Sequence, residues 1–370
     1  MVLHQFFFAL TSRRTLSIMK NKLRIIFILT AASASTIFLL FIITTRWNHR
    51  QGSFIRFFPP HIANELRTLN FGTNAYYIAG EYRDRIYLGN ELMPSDLLTT
   101  NFALRDTTHL HIQFPTNETS SPLQIFVRDS LLIVSNFALR HILKGNLQTL
   151  QPTVWLRDSA TIADGVPVSN ASFITKSIDR RRHRWDLRKK SQHVDSTKIP
   201  ATILEDQVDG IFSTDGILNA DTKENLLVYV YYYRNQYICC DTNLHVLFKG
   251  KTIDTNTIAK IKLATIQSEN KTTFAAPPFM VNKLSSISGH WLFVNSTIKS
   301  VNELTKNFQS SSTIDVYDLQ NGKYKFSFYL PDYHQKKIRN FRVFNNRLFA
   351  LYDRWLVEYS LQGIYFTSKS

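Results

Sequence analysis

The pattern of apolar and polar positions divides the chain into two unlike parts. Residues 25–45 form one uncharged run, IIFILTAASASTIFLLFIITT, which is closed by Arg24 and Arg46. Beyond it, short apolar segments alternate with polar turns, and no apolar run of comparable length recurs. A long continuous run predicts a bilayer-spanning helix, whereas short segments between turn residues predict β-strands. We therefore expect one N-terminal transmembrane helix followed by an all-β domain.

The apolar run also predicts a topology. As an α-helix it would be roughly 30 Å long. A cleaved signal peptide is the alternative, but the small residues lie in the middle of the run rather than at its end. Five basic residues precede the run and three follow it, which favours a cytoplasmic N-terminus. We expect a basic cytoplasmic tail (1–24), a transmembrane helix or signal-anchor (25–45), a juxtamembrane connector (46–70) and a periplasmic domain (71–370) on a single-pass inner-membrane protein.

The domain after the connector contains six copies of one pattern, in which an apolar strand, a polar turn and a second apolar strand follow one another. The copies begin with YYIAGEYRDRIYLGN and end with FRVFNNRLFALY, and the third is weak. The second strands are anchored by Ile86, Leu132, Ile174, Leu227, Leu292 and Leu348, so their spacings are 46, 42, 53, 65 and 56 residues. An irregular period near fifty is typical of propeller blades, which have four strands each. The pattern predicts a six-bladed β-propeller, and a β-sandwich or several small β domains remain the alternative.

Several segments resemble a known group of proteins. They are DGIFSTDGIL, LLVYVYYYRNQYICCDTNL, STIDVYDLQNGKYKFSFYLP and NFRVFNNRLFALYDRWLVEYSL. They are similar to six-bladed, extracytoplasmic β-propeller proteins of uncharacterised function from Bacteroidota-type bacteria. The resemblance covers most of the chain after residue 71. It implies the fold and the compartment, and it carries no catalytic residue to this sequence.

Composition narrows the classes of partner. The net charge is +16, which would ordinarily suggest nucleic acid, but the expected extracytoplasmic location argues against it. Anionic lipid headgroups or acidic polymers would then be the more natural partners of the basic surface. The two cysteines, Cys239 and Cys240, are adjacent and would point to opposite faces of a strand, so a disulfide scaffold is excluded.

Motifs for catalysis and cofactor binding are missing from the sequence. The chain has 12 glycines and contains neither a dinucleotide-binding fingerprint nor a P-loop. It also lacks the nucleophile elbow and the zinc-protease motif. His109 and His111 share one strand face, and Asp206, Asp209 and Asp215 lie near two glycines, but a hydrated pair and an ordinary turn are commoner explanations of these groups than a metal site. We therefore predict no catalytic residue, no cofactor and no metal ligand.

A tyrosine-rich strand is the first candidate contact region. In VYVYYYRNQY, the side chains of Tyr229, Tyr231 and Tyr233 fall on one face, and Arg234 follows them. Such a face could line a pocket for a sugar, a peptide or a quinone-like ring. The competing interpretation is that these rings pack between blades.

The basic run DRRRHRWDLRKK is the second candidate. Its predicted surface contacts are Arg181, Arg182, Arg184 and Trp185. A run of like charges is usually a solvated loop. It could also dock on anionic headgroups or polymers, or be a protease-sensitive site.

These expectations combine into one functional hypothesis. We expect a non-catalytic module that binds a protein partner or a small ligand at one propeller face, close to the membrane. An enzyme or redox accessory with a site in the propeller channel is one alternative, and an envelope-polymer or carbohydrate binder is another. Fold alone does not decide among them, because propellers have many functions.

Overall fold

The computed structural model describes residues 22, 24–40, 52–118, 122–158, 160–179, 182–192, 203–269 and 271–366. The chain divides into two compact units, Met1–Gln51 and Gly52–Ser370. All of the described strands belong to the second unit.

The first unit does not bear out the predicted membrane anchor. Its described helix, α1, covers residues 24–40, and the last five residues of the predicted span lie outside the described residues. None of the described helices is long and apolar enough to cross a membrane. The predicted single-pass inner-membrane location, with a periplasmic domain, is therefore wrong. The argument against a nucleic-acid partner relied on that location and no longer has this support.

The strands of the second unit form successive antiparallel groups. Group one contains β2 (Tyr76–Tyr82), β3 (Arg85–Asn90), β4 (Asp96–Asn101) and β5 (Thr108–His111). Group two contains β6 (Leu123–Arg128), β7 (Leu131–Asn136), β8 (His141–Asn146) and β9 (Thr153–Arg157). A short parallel pairing between β2 and β6 joins the two groups into one eight-stranded sheet.

The central part of the unit contains two further groups and a hairpin. Group three contains β10 (Ile162–Ser169), β11 (Ser172–Asp179) and β12 (Arg184–Ser191). Group four contains β13 (Gly216–Asp221), β14 (Leu226–Tyr231), β15 (Gln236–Asp241) and β16 (Val246–Lys251). A separate hairpin follows, formed by β17 (Leu263–Ile266) and β18 (Lys271–Phe274), with the 3-10 helix Gln267–Glu269 between its strands.

The last two groups complete the unit. Group five contains β19 (Asn282–Ser288), β20 (Trp291–Ser296), β21 (Ser311–Asp318) and β22 (Lys323–Pro331), with the short helix α2 (Thr305–Gln309) before β21. Group six contains β23 (Asn340–Phe344), β24 (Arg347–Tyr352), β25 (Trp355–Leu361) and, from the start of the unit, β1 (Ala63–Asn70).

The second strand of each group lies at the centre of the core, as the repeat pattern predicts. The six predicted anchor residues are Ile86, Leu132, Ile174, Leu227, Leu292 and Leu348, and each is at most 1% exposed. The turns that precede these strands use residues that tolerate a left-handed backbone, among them Asp129, Asn225, Gly289 and Asn345. The sequence therefore specifies both the buried strands and the hairpins that lead into them.

The groups pack face to face around a closed ring. Separate hydrophobic clusters join group one to group two, group four to group five, group five to group six, and group six back to group one. A larger cluster joins groups two, three and four. Because each sheet has a neighbour on both faces, both of its faces are buried. This mutual burial is the source of the core.

The ring closes differently from the sequence expectation. The described residues at the end of the chain form a 3-10 helix, Gly363–Phe366, and do not supply the fourth strand of group six. The place is taken by β1, which pairs antiparallel with β25 from Ala63 opposite Leu361 to Asn70 opposite Trp355. The strand β1 thus falls within the segment 46–70 that the sequence predicts as a connector.

The segment before β1 is fixed to group five by a buried arginine. The guanidinium of Arg56 donates two hydrogen bonds to Asp315, at 2.7 and 2.9 Å, and one to Glu303 at 2.8 Å. All three side chains are almost inaccessible to solvent. Burial alone would lower the pKa of Arg56, but the two carboxylates outweigh that effect and raise it. The sequence suggested a juxtamembrane charge here, whereas the structure places this residue in the core.

We expect replacement of Arg56 by Met to destabilise the second unit strongly. It would leave two carboxylates buried without their cation, a loss of about 3–5 kcal/mol in the free energy of unfolding. Denaturant unfolding of the full chain measures this value. Arg105→Met is the matched control, because Arg105 is exposed and belongs to no buried ion pair among the described residues. Equal stabilities of the two variants would contradict the importance of the Arg56 cluster.

A glycine sets the distance between groups one and two. Gly80 has φ +153°, and a Cβ placed on it would lie 1.9 Å from the carbonyl oxygen of Val127 on β6. The parallel pairing of β2 with β6 occurs at this contact. A side chain at this position would force the two strands apart.

We predict that Gly80→Ala lowers the free energy of unfolding by about 3 kcal/mol or more, from backbone strain together with overlap. Gly72→Ala is the control, because Gly72 also has positive φ but has open space around its Cβ position. The control should cost about 1–2 kcal/mol. A Gly80 variant as stable as the Gly72 variant would show that the contact can relax freely.

Candidate functional site

The predicted tyrosine face lies inside the core. Tyr229 and Tyr231 belong to β14 and are at most 1% exposed, with their rings edge to face at 5.3 Å. The hydroxyl of Tyr229 donates to the carbonyl of Thr214 at 2.7 Å, and that of Tyr231 accepts the amide of Glu205 at 2.9 Å. Their burial favours the interpretation in which the rings pack between sheets.

The two residues that complete this predicted set are also buried. Tyr233 lies beyond the end of β14 and packs edge to face against Phe274 of the β17–β18 hairpin, at 5.9 Å. The guanidinium of Arg234 lies 3.6 Å from the centre of the Tyr231 ring and donates to the carbonyl of Glu205 at 2.7 Å. These contacts hold the loop before group four and the hairpin after it against the sheet.

The basic run forms part of a hairpin rather than a loop. Arg181 lies outside the described residues. Arg182 is exposed in the turn, whereas Arg184 opens β12 and is buried. Trp185 is half-buried, with the ammonium of Lys176 at 5.4 Å from its ring. Of the described members of this set, Arg182 alone is exposed, so a docking role would fall to the turn.

The two predicted metal candidates have ordinary local roles. The imidazole of His109 is hydrogen-bonded to Asp96 at 2.7 Å. The carboxylate of Asp209 accepts the backbone amides of Phe212 and Ser213 and so closes a turn. Across the described residues, no three His, Cys, Asp or Glu side chains are grouped as a metal ion would require.

A concave site lies where the first strands of all six groups meet. A cavity of about 280 Å³ is lined by β2, β6, β10, β13, β19 and β23 and by the hairpin turns that follow some of them. The sequence repeat predicted strands at β2, β6 and β23 and one that overlaps β19, but it marked none at β10. In the fourth copy it placed a turn at Asp215-Gly216, whereas Gly216 opens β13. We call this space the axial cavity.

The walls and the inner end of the axial cavity differ in character. Apolar side chains of Phe126, Val166, Ile287 and Val343 form much of the wall. Arg342 lies in the middle of β23, and its guanidinium donates to the Oδ1 of Asn219 on β13 at 3.1 Å. The cavity therefore presents apolar side chains beside polar ones and carries a cation inside.

The rim of the axial cavity is formed by the ends of the first strands and their turns. Its charged residues are Glu81, Arg128, Asp129, Asp221, Lys223 and Glu224. Burial raises the pKa of Glu81, and Lys223 opposes that rise. With four carboxylates against two cations, the rim is net negative at neutral pH when all of these groups are ionised.

A second charged cluster lies close to the inner end. The ammonium of Lys176 is paired with Asp215 at 2.7 Å. Burial raises the pKa of Asp164, while Lys176 and Arg342 act in the opposite direction. Sequence analysis missed this cluster and Arg342, because single charged residues in short strands give no motif. The available signal was a lone arginine between apolar residues in FRVF, the first strand of the sixth copy.

Comparison with known proteins places the chain among all-β folds with propeller neighbours. No family model and no curated protein matches it. A Bacteroides vulgatus member of the DUF4221 family is similar in structure, with a TM-score of 0.48, 11% identity and coverage of 81% of this chain and 97% of that one. The β-propeller domain of Myceliophteria thermophila Cps50 (Swd1) has a TM-score of 0.43, 9% identity and coverage of 81% and 100%. A chain of the mitotic checkpoint complex has a TM-score of 0.45, 10% identity and coverage of 82% and 96%.

These neighbours are of the kind that the sequence resemblance predicted, a Bacteroidota protein of a family of unknown function together with β-propellers. At such low identities the likeness concerns the fold alone.

The two cysteines have an environment that determines their reactivity. Cys239 faces the cluster between groups four and five, and Cys240 faces the opposite side, as alternation in a strand predicts. Both thiols are free and buried. Burial raises the pKa of Cys239 to about 11 and that of Cys240 to about 12.

We expect neither thiol to react with an aromatic disulfide reagent at pH 8 while the protein is folded, since the thiolate is the reactive form. Both should react within minutes in concentrated guanidinium chloride. Absorbance of the released thiolate counts the reacted groups. Rapid modification of either cysteine in the folded chain would mean that the interfaces around β15 open readily.

Proposed function

We propose that the chain is a six-bladed propeller that acts as a non-catalytic binding module and takes the recognised group into the axial cavity. Each of the six strand groups is then one blade, with its first strand nearest the axis and group six closed by β1. The recognised group can belong to a small molecule or project from a protein partner. The proposal includes no membrane anchor.

The convergence of six first strands on one cavity is the observation that carries this proposal. Ligand sites are usually concave and mainly apolar, with a few polar groups that fix orientation. The axial cavity is concave and combines apolar side chains with polar ones, among them Arg342 and Asn219, which can fix the orientation of a ligand. The predicted tyrosine face offers no such space, since its members are buried.

Fluorine labels on two introduced cysteines test whether ligands bind in the axial cavity. Because both native thiols are buried, Lys223→Cys can be modified selectively with a trifluoromethyl reagent at the cavity rim. Lys251→Cys, exposed on the outermost strand β16, is the matched control. Hexanoate, hexylammonium, glucose and triglycine are added separately, and the fluorine NMR signal is followed. We expect at least one compound to shift the rim signal and not the control signal.

Two results would overturn the binding proposal. In one, none of the compounds changes the rim signal at 20 mM, a concentration that suits weak fragment binding. In the other, the rim and control labels respond equally, which indicates contact with the general surface.

A catalytic role is the second candidate, and it rests on Asp164. A carboxyl group whose pKa is raised by burial close to a cavity is suited to acid–base chemistry. The same NMR samples, followed over hours, would show new compounds if the protein transforms a ligand. Unchanged ligand spectra together with a specific rim shift support the non-catalytic proposal.

A further inference from the structure

We propose that the group recognised in the axial cavity is a carboxylate, bound by the guanidinium of Arg342 with an apolar carbon chain along the walls. This inference rests on the proposed binding function and specifies its ligand class. It concerns Arg342 and Asn219, which neither the sequence motifs nor the similar structures indicate.

The hydrogen bonding of Arg342 leaves most of its donors available. A guanidinium has five N–H donors. Within the described residues, its hydrogen-bond partner is Asn219, and no carboxylate forms an ion pair with it. Asp164 is the carboxylate that acts on it through space. Arg342 retains some accessible surface although it is deep in the protein, because it faces the cavity.

Asn219 fixes the direction of the guanidinium. Its Nδ2 donates to the hydroxyl of Ser285 at 2.7 Å, which leaves Oδ1 to accept from Arg342. Asn219 is buried and belongs to group four, which is not adjacent to group six in the ring, so the contact crosses the cavity from β23 to β13. Asn219 is therefore a positioning residue. The free edge of the Arg342 guanidinium can donate two parallel hydrogen bonds to a planar carboxylate.

The surroundings favour a monocarboxylate over a polyanion. The other two cations of the described lining, Arg128 and Lys223, belong to the rim, so Arg342 is the cation that faces a ligand group inside the cavity. At the rim, the excess of carboxylates would repel a phosphate or a dicarboxylate. The charges of the cavity therefore suit a ligand whose carboxylate lies at the inner end, beside Arg342, and whose neutral or positively charged tail lies at the acidic rim. At about 30 Å³ per water-sized group, the cavity holds about nine such groups, which is enough for a six-carbon acid.

Three compounds of equal length test the charge preference. They are hexanoate, 6-aminohexanoate and hexylammonium, titrated into the full-length chain with saturation-transfer NMR as the readout. We expect both acids to bind and hexylammonium to bind at least about tenfold more weakly, because a hydrogen-bonded ion pair with Arg342 is available to the acids alone. The affinity of 6-aminohexanoate should equal or exceed that of hexanoate, because its ammonium group meets the acidic rim.

Variants of Arg342 and Asn219 test whether the guanidinium of Arg342 binds the carboxylate. Arg342→Met should weaken hexanoate binding by at least about tenfold, and Arg342→Lys should weaken it less, because it keeps the charge but loses the planar fork. Asn219→Ala should also weaken binding while leaving Arg342 in place. Arg105→Met, on the exposed surface, is the control and should bind like the native chain. Circular dichroism and a melting curve establish that each variant is folded.

The failure of this inference is distinguishable from failure of the proposed function. If glucose or hexylammonium binds at the rim label while neither acid does, the cavity is a binding site for another class of ligand and the carboxylate inference is wrong. Unchanged hexanoate affinity in folded Arg342→Met would also overturn it. If Arg342→Met does not fold, the Arg342→Lys and Asn219→Ala variants provide the test. If both bind hexanoate with the affinity of the native chain, Arg342 has no role in binding.

Discussion

The pairing of β1 with β25 is the interaction on which the rest of the structure depends. The first strand of the described sheets pairs with the last, and seven of the eight residues of β1 have partners in β25. Each group buries its faces only against its two neighbours, so every interface needs a ring without a gap. An open ring would expose the apolar faces of groups one and six, which meet in the cluster around Leu88 and Phe349. Closure therefore determines the stability of all the groups together.

The axial cavity follows from the same constraint. Glu81 and Arg342 are separated by more than half of the chain. Both line the axial cavity because each belongs to the first strand of its group. No local segment contains the site. Any ligand that binds there binds only the closed ring, and it would stabilise the folded state by mass action. The Arg56 cluster and the contact at Gly80 act at other points of the ring and keep adjacent elements at fixed distances.

Much of the fold was predictable from the sequence, because it is encoded locally. Apolar second strands and their turn residues identify the six groups, and the six anchor residues are all buried. The segment ANELRTLN of β1 contains few apolar residues, so its membership in group six depends on backbone pairing with a strand almost 300 residues away. No local pattern contains that information. The interpretation of Asp215-Gly216 as a turn failed for a related reason, since a glycine is needed where β13 approaches the Tyr229 ring.

The candidate site was less predictable than the fold. Tyr229 and Tyr231 were identified by their spacing, but spacing does not distinguish a face that lines a pocket from one that packs against the next sheet. Arg342 was overlooked because its role depends on Asn219, which comes from another group. The prediction of a membrane span was wrong because it relied on the length of the uncharged run alone. The middle of the run, TAASAST, is small and weakly polar, and the hydroxyls of Thr30 and Thr36 bond back to the backbone of α1.

The outermost strands give the net charge a physical consequence. The edges of three groups are strands rich in cations, RWDLRKKS in β12, VLFKGK in β16 and KYKFSFYLP in β22. An unpaired strand edge is a template for association with another chain, and lysines along it oppose that association. Two molecules that approach edge to edge bring like charges together. Salt weakens this repulsion, so the colloidal stability of the protein depends on the ionic strength of its surroundings as well as on the strength of its fold.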